Sequence, residues 1–126
     1  MVANSLPAGS KILVVDDDST FYRSINLALR KKGWTSVWCM DAQSAVEAAQ
    51  DYEPDIVMLD VHLPDGDGVA LVDQLRANGF DGRILVVTGD INAAADARHK
   101  NTAVTEVLEK PMPMRALHRY LKELVS

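Results

Sequence analysis

The stretch "KILVVDDDSTF", Lys11 to Phe21, decides how the rest of the chain is read. From Ile12 to Val15 it is aliphatic at every position rather than alternating, the pattern of a strand whose sheet is covered on both faces. Asp16, Asp17 and Asp18 then stand side by side. At ~4 Å and an effective dielectric of about 20, each like-charge pair costs on the order of 4 kcal/mol. A fold that packs these carboxylates together therefore needs positive charge near them.

Similar aliphatic runs recur along the chain: "SVWCM" from Ser36, "DIVML" from Asp55, "RILVV" from Arg83 and "VTEVL" from Val104. Between them lie segments with helical spacing. In "STFYRSINLALRKKG", Asp18 or Ser19 caps the start, Phe21, Ile25, Ala28 and Leu29 share one face, and Gly33 ends the helix. "DAQSAVEAAQDY" has Asp41 as its cap, and "DGVALVDQLRANG" closes at Gly79. "INAAADARHK" is a shorter Ala-rich helix, and "PMRALHRYLKELV" ends the chain on Leu117, Tyr120, Leu121 and Leu124. Five strands alternating with five helices predict a doubly wound α/β fold with a parallel sheet and right-handed crossovers. Residues 1–10 read as a flexible leader and residues 11–126 as one domain.

At 126 residues the chain has room for one ordinary core without disulfide staples. A composition of 48% hydrophobic and 25% charged residues, with net charge -5, fits a soluble globular protein and disfavours non-specific nucleic-acid binding. Cys39 is the single cysteine and reads as a small buried hydrophobe. No run reaches the ~18 apolar residues of a membrane span, so the expected location is cytoplasmic.

In open parallel sheets the functional crevice lies at the carboxyl ends of the strands. There the sequence places Asp16, Asp17 and Asp18, then Asp60, then Thr88, then Lys110. An oxygen-only cluster suits a hard cation such as magnesium better than zinc. With an ammonium and a hydroxyl beside it, the rim suits a phosphoryl group, and one carboxylate can be the nucleophile that receives it. Asp60 is the candidate, standing alone before the turn-rich "HLPDGDG". Asp65 and Asp67 read as turn or cap residues beside Gly66 and Gly68, and His62, His99 and His118 have no metal-site spacing.

"ILVVDDD", "VMLDVHLPDGDG", "ILVVTGD" and "LEKPM" together resemble the four blocks of the receiver domain of two-component response regulators, the flavodoxin-like CheY superfamily. The resemblance covers residues 11–125 and implies strand order 2-1-3-4-5. It implies that Asp60 accepts a phosphoryl group from a histidine kinase or a phosphotransfer protein. The chain would then not be an enzyme beyond catalysing its own aspartyl phosphorylation and dephosphorylation. Asp17, with Asp16 acting directly or through water, would hold Mg2+ with Asp60 and the backbone carbonyl of His62. Thr88 and Lys110 would bind phosphoryl oxygens, Gly89 would keep access to Asp60 open, and His62 and Asp90 would tune water access. The Lys110–Pro111 bond is expected to be cis. Phosphorylation would reshape a surface that binds a downstream protein, in a monomer or weak dimer without direct contact to nucleic acid or membrane.

The sequence departs from the family at Val107, where receivers usually carry Tyr or Phe, and in "KNTAVTEVLEK", which lacks the usual Gly-Ala and acidic pair. No output domain follows in this sequence. Two other readings compete. One is a degenerate receiver that binds partners without phosphorylation. The other is a haloacid-dehalogenase-type phosphatase, with Asp16, Asp18 and Thr20 as Asp-x-Asp-x-Thr; it leaves Asp60 without a role and has only Glu123 as an acid beyond Lys110.

Overall fold

The computed structural model describes residues 9–100, 106–110, 115–117 and 119–120. The elements in chain order are β1 (Lys11–Val15), α1 (Ser19–Lys31), β2 (Thr35–Cys39), α2 (Ala42–Tyr52), β3 (Ile56–Leu59), β4 (His62–Leu63), β5 (Gly66–Asp67), α3 (Gly68–Ala77), β6 (Arg83–Thr88), α4 (Ile91–Lys100) and β7 (Glu106–Glu109). Residues 115–117 and 119–120 are helical, where the last helix is expected.

One parallel sheet runs β2-β1-β3-β6-β7, which is the expected 2-1-3-4-5 once the two-residue strands are set aside. The runs of β1, β3 and β6 are apolar at nearly every position because both faces are covered. Leu13, Val15, Val57, Leu59, Ile84, Val86 and Val107 pack with Ala45, Leu71, Val72, Leu75, Ala94 and Ala97 from α2, α3 and α4. Ile12, Val14, Ile56, Met58, Leu85 and Val87 pack on the other face with Ile25, Leu29 and Leu117. Fully burying one such aliphatic side chain contributes roughly 1.5–3 kcal/mol.

Local chemistry sets the helix ends. Asp18 Oδ1 accepts from the amides of Thr20 and Phe21, at 3.0 and 3.2 Å, and caps α1. The helix closes when Gly33, at φ 78°, donates its amide to Arg30 O and Trp34 donates to Leu29 O. Asp41 caps α2 through the Ser44 amide at 2.8 Å. Without a glycine at its end, α2 stops at Glu53 in the left-handed region, φ 52°, just before Pro54.

Several details differ from the sequence reading. "HLPDGDG" is an antiparallel hairpin, β4 with β5, pairing His62 with Asp67 and Leu63 with Gly66. Asp65, at its tip, accepts at both carboxylate oxygens from the amides of Ala42 and Gln43, at 2.8 and 3.0 Å, so it caps a helix remote in sequence. Within the assigned leader, Gly9 donates its amide to Gly33 O, and Ser10 is buried and accepts from the Thr35 amide. These two residues therefore pack with the sheet edge, while residues 1–8 lie outside the described residues. So do Val104, where the fifth strand was expected to begin, and Leu121 and Leu124.

Gly68 fits between the hairpin and α3 only because it has no side chain. A Cβ there would overlap the Asp60 carbonyl oxygen and come within 2.9 Å of Val61 Cα, both backbone atoms. Gly68→Ala should lower unfolding stability by about 1–3 kcal/mol through this overpacking, read as a reduced midpoint in urea.

Candidate phosphoacceptor site

The sheet ladder carries each strand one residue past its end and so delivers the polar groups. The amide of Asp16 donates to Cys39 O at 3.0 Å, that of Asp60 to Val15 O at 3.0 Å, and that of Lys110 to Thr88 O at 2.8 Å. The ends of β1, β3 and β7 are thereby fixed in register with their neighbours before any side chain is considered.

Lys110 Nζ lies between two carboxylates, 2.6 Å from Asp16 Oδ2 and 3.4 Å from Asp60 Oδ2. The Asp16 side chain is only 2% exposed, and its second oxygen accepts from the Asp18 amide at 2.9 Å. Burial pushes the Asp16 carboxyl upward from its ordinary value, against the pull of Lys110 and of that amide. Burial also opposes the Lys110 ammonium, but the hydrogen bond and charge of Asp16, joined by Asp60, outweigh it and hold its pKa above the ordinary lysine value. Asp60 is half-buried, and its Oδ1 accepts from the His62 amide at 3.2 Å. Asp17, next to buried Asp16, is exposed.

Thr88 is fully buried, and its hydroxyl oxygen accepts from the Asp90 amide at 3.2 Å. A hydroxyl used as an acceptor still carries a proton to donate. Asp90 is a node. One of its oxygens caps α4 through the Ala93 amide at 3.0 Å, and the other contacts His62 Nε2 at 2.7 Å. The two residues singled out separately as tuning positions are thus in contact with each other. Gly89 is exposed, and a Cβ on it would come no closer than 4.0 Å to Lys110 Cβ, so a small side chain fits there. Val107 is buried in the core on the side of α2, α3 and α4. Pro111 lies outside the described residues, and so does the peptide bond before it.

Sequence reasoning missed Phe21, whose ring centroid is 3.9 Å from Lys110 Nζ. It was assigned only to the apolar face of the first helix, yet it is half-buried at the rim. Also missed was Trp38, which donates its indole N–H to Asp16 O at 2.7 Å and stacks on Tyr22 with ring centroids 5.2 Å apart. The phosphatase reading loses its second acid here. Asp18 is the helix cap, holding the amides of Thr20 itself and of Phe21.

A model of the response regulator receiver domain matches residues 12–122. The chain belongs to that family. The receiver is 30% identical over 115 residues to the transcriptional regulatory protein PrrA of Mycobacterium tuberculosis, covering 91% of this chain but 49% of PrrA. It thus spans about half the length of that curated relative. A putative response regulator from Chloroflexus aurantiacus has the same fold, with a TM-score of 0.82 at 28% identity over 93% of this chain and 98% of that one. The beryllofluoride-activated NtrC4 receiver domain dimer gives a TM-score of 0.80 at 28% identity, covering 91% and 95%. The receiver fold and membership of a signalling family follow from these matches and from the sheet order. No helix among the described residues is long and apolar enough to cross a membrane.

The His62–Asp90 contact makes a pH signature. The hydrogen bond that the protonated ring donates to Asp90, first of the causes, and the charge of Asp90 raise the His62 pKa above its ordinary 6.5. A histidine raised in the folded state contributes stability that is complete below the unfolded value and is lost as pH rises through the higher folded value. In the metal-free protein, an NMR titration of the His62 ring should therefore have its midpoint above 6.5, and Asp90→Ala should return it toward 6.5. The pair is exposed, so its effect on global stability is small.

Proposed function

We propose that this receiver, residues 11–126, accepts a phosphoryl group on Asp60 from the phosphohistidine of a histidine kinase or phosphotransfer protein and so changes which partner it binds. The observation that carries this reading is the placement of Lys110 Nζ against both Asp16 and Asp60, with the buried Thr88 on the strand between, at four adjoining strand ends. An Asp60 oxygen forms the new P–O bond as the P–N bond of the phosphohistidine breaks. The bonding pair leaves on the imidazole nitrogen, which takes up a proton. Lys110 and the Thr88 hydroxyl then bind phosphoryl oxygens.

The donor set fits magnesium. Asp17, Asp60 and the His62 carbonyl would hold the ion, with Asp16 acting directly or through water. Among the described residues, no three His, Cys, Asp or Glu side chains form a ready metal cluster. Magnesium needs none, since it is commonly bound by one or two carboxylates and keeps several waters. Bound there, it supplies positive charge to offset that of the carboxylates and the phosphoryl group.

Signalling follows from the Asp90 node. A Thr88 hydroxyl drawn to the phosphoryl group pulls on the Asp90 amide, and Asp90 also caps α4 and holds His62. Val107, with no ring or hydroxyl, offers no aromatic relay beside it. The reading includes a cytoplasmic location, an unidentified downstream protein and a monomer or weak dimer.

With acetyl phosphate and magnesium, the intact mass of the wild type should rise by one phosphoryl group, and beryllofluoride should change the fluorescence of Trp38, which touches Asp16. Chelating the magnesium or introducing Asp60→Asn should abolish both responses. Modification that persists in Asp60→Asn would falsify the assignment. A wild type that takes no label would instead favour the degenerate receiver.

A further inference from the structure

Lys110 has a long flexible stem, and holding its ammonium in one place costs up to ~2 kcal/mol of rotamer entropy. The two carboxylates beside it do not settle where it rests. The shorter contact, 2.6 Å, is to Asp16, whereas the group to be phosphorylated is Asp60, at 3.4 Å. Charge alone would draw the ammonium away from the reacting residue. What lies on its third side is the Phe21 ring, with its centroid 3.9 Å from Nζ, well inside cation–π range.

Phe21 is itself well fixed. It lies in the first turn of α1, its amide donates to Asp18 Oδ1, and its ring packs against the core cluster that contains Ile25 and Leu29. The attraction of a ring face for a cation does not consume any one of the three ammonium protons. The group can pass from one oxygen partner to another while staying over the ring.

We propose that Phe21 is a positioning residue for phosphoryl transfer, its aromatic face holding Lys110 Nζ between Asp16 and Asp60 so that the ammonium meets incoming phosphoryl oxygens without rearranging. This rests on the phosphoacceptor reading above. The last six residues of the opening stretch, Asp16 to Phe21, then act largely around one ammonium: Asp16 pairs with it, Asp18 fixes the helix start, and Phe21 lies beside it.

The test compares the wild type with Phe21→Leu, Phe21→Met and Phe21→Tyr, the methionine variant standing in should the leucine variant misfold. Two quantities are read: the initial rate of Asp60 labelling by acetyl phosphate with magnesium, and the NMR order of the Lys110 side chain in the unmodified protein. Amide spectra check the fold. Loss of the ring should slow labelling by about threefold to tenfold and loosen the Lys110 side chain, and tyrosine should restore both. Labelling and lysine order unchanged in Phe21→Leu would overturn the proposal, as would a tyrosine variant as impaired as the leucine one. If the wild type takes no label, the phosphoacceptor reading fails by itself. The lysine measurement then still decides whether Phe21 holds Lys110.

Discussion

One ammonium reconciles two carboxylates that the backbone leaves no freedom to separate. Parallel pairing fixes β1 beside β3, so the residues that follow them, Asp16 and Asp60, must emerge at the same rim. At contact distance and an effective dielectric of about 20 their repulsion is on the order of 4 kcal/mol. Lys110 reaches them because its own amide continues the ladder of β6. Burial of Asp16 makes the pairing more consequential, since a buried carboxylate without a partner carries the full desolvation cost. The site is therefore charged and pre-assembled, and added negative charge disturbs a balance that already exists.

The layering and the four principal groups were legible in the sequence for the same reason. Continuous aliphatic runs announce strands buried on both sides, and in a parallel sheet the residue after each run is at the functional rim. Asp16, Asp60, Thr88 and Lys110 could thus be assembled by counting from strand ends. The Asp18 cap was legible too, because it depends only on local geometry.

What escaped the sequence involves contacts between segments that periodicity does not relate. The hairpin β4–β5 is only two residues on each side, too short to show alternation. Asp65 looks like any turn aspartate until α2 is found to begin beside it. Phe21 satisfied the apolar spacing of its helix, and nothing in that spacing says that one face of its ring meets an ammonium. Ser10 reads as part of a polar leader because its hydrogen-bond partner, Thr35, lies on a strand remote in sequence.

The cap that Asp65 places on α2 has a mechanical meaning. The segment between Asp60 and α3 is pinned on one flank by two amides of α2 and at its base by the amide of Gly68, which donates to Val61 O. On the other flank His62 contacts Asp90, the cap of α4, through an exposed hydrogen bond. The segment after Asp60 is thus built like a vice, one jaw bolted down by backbone amides and the other set on a light side-chain catch. Under the proposed phosphorylation of Asp60, displacement would pass to the side that yields, where the cap of α4 is attached.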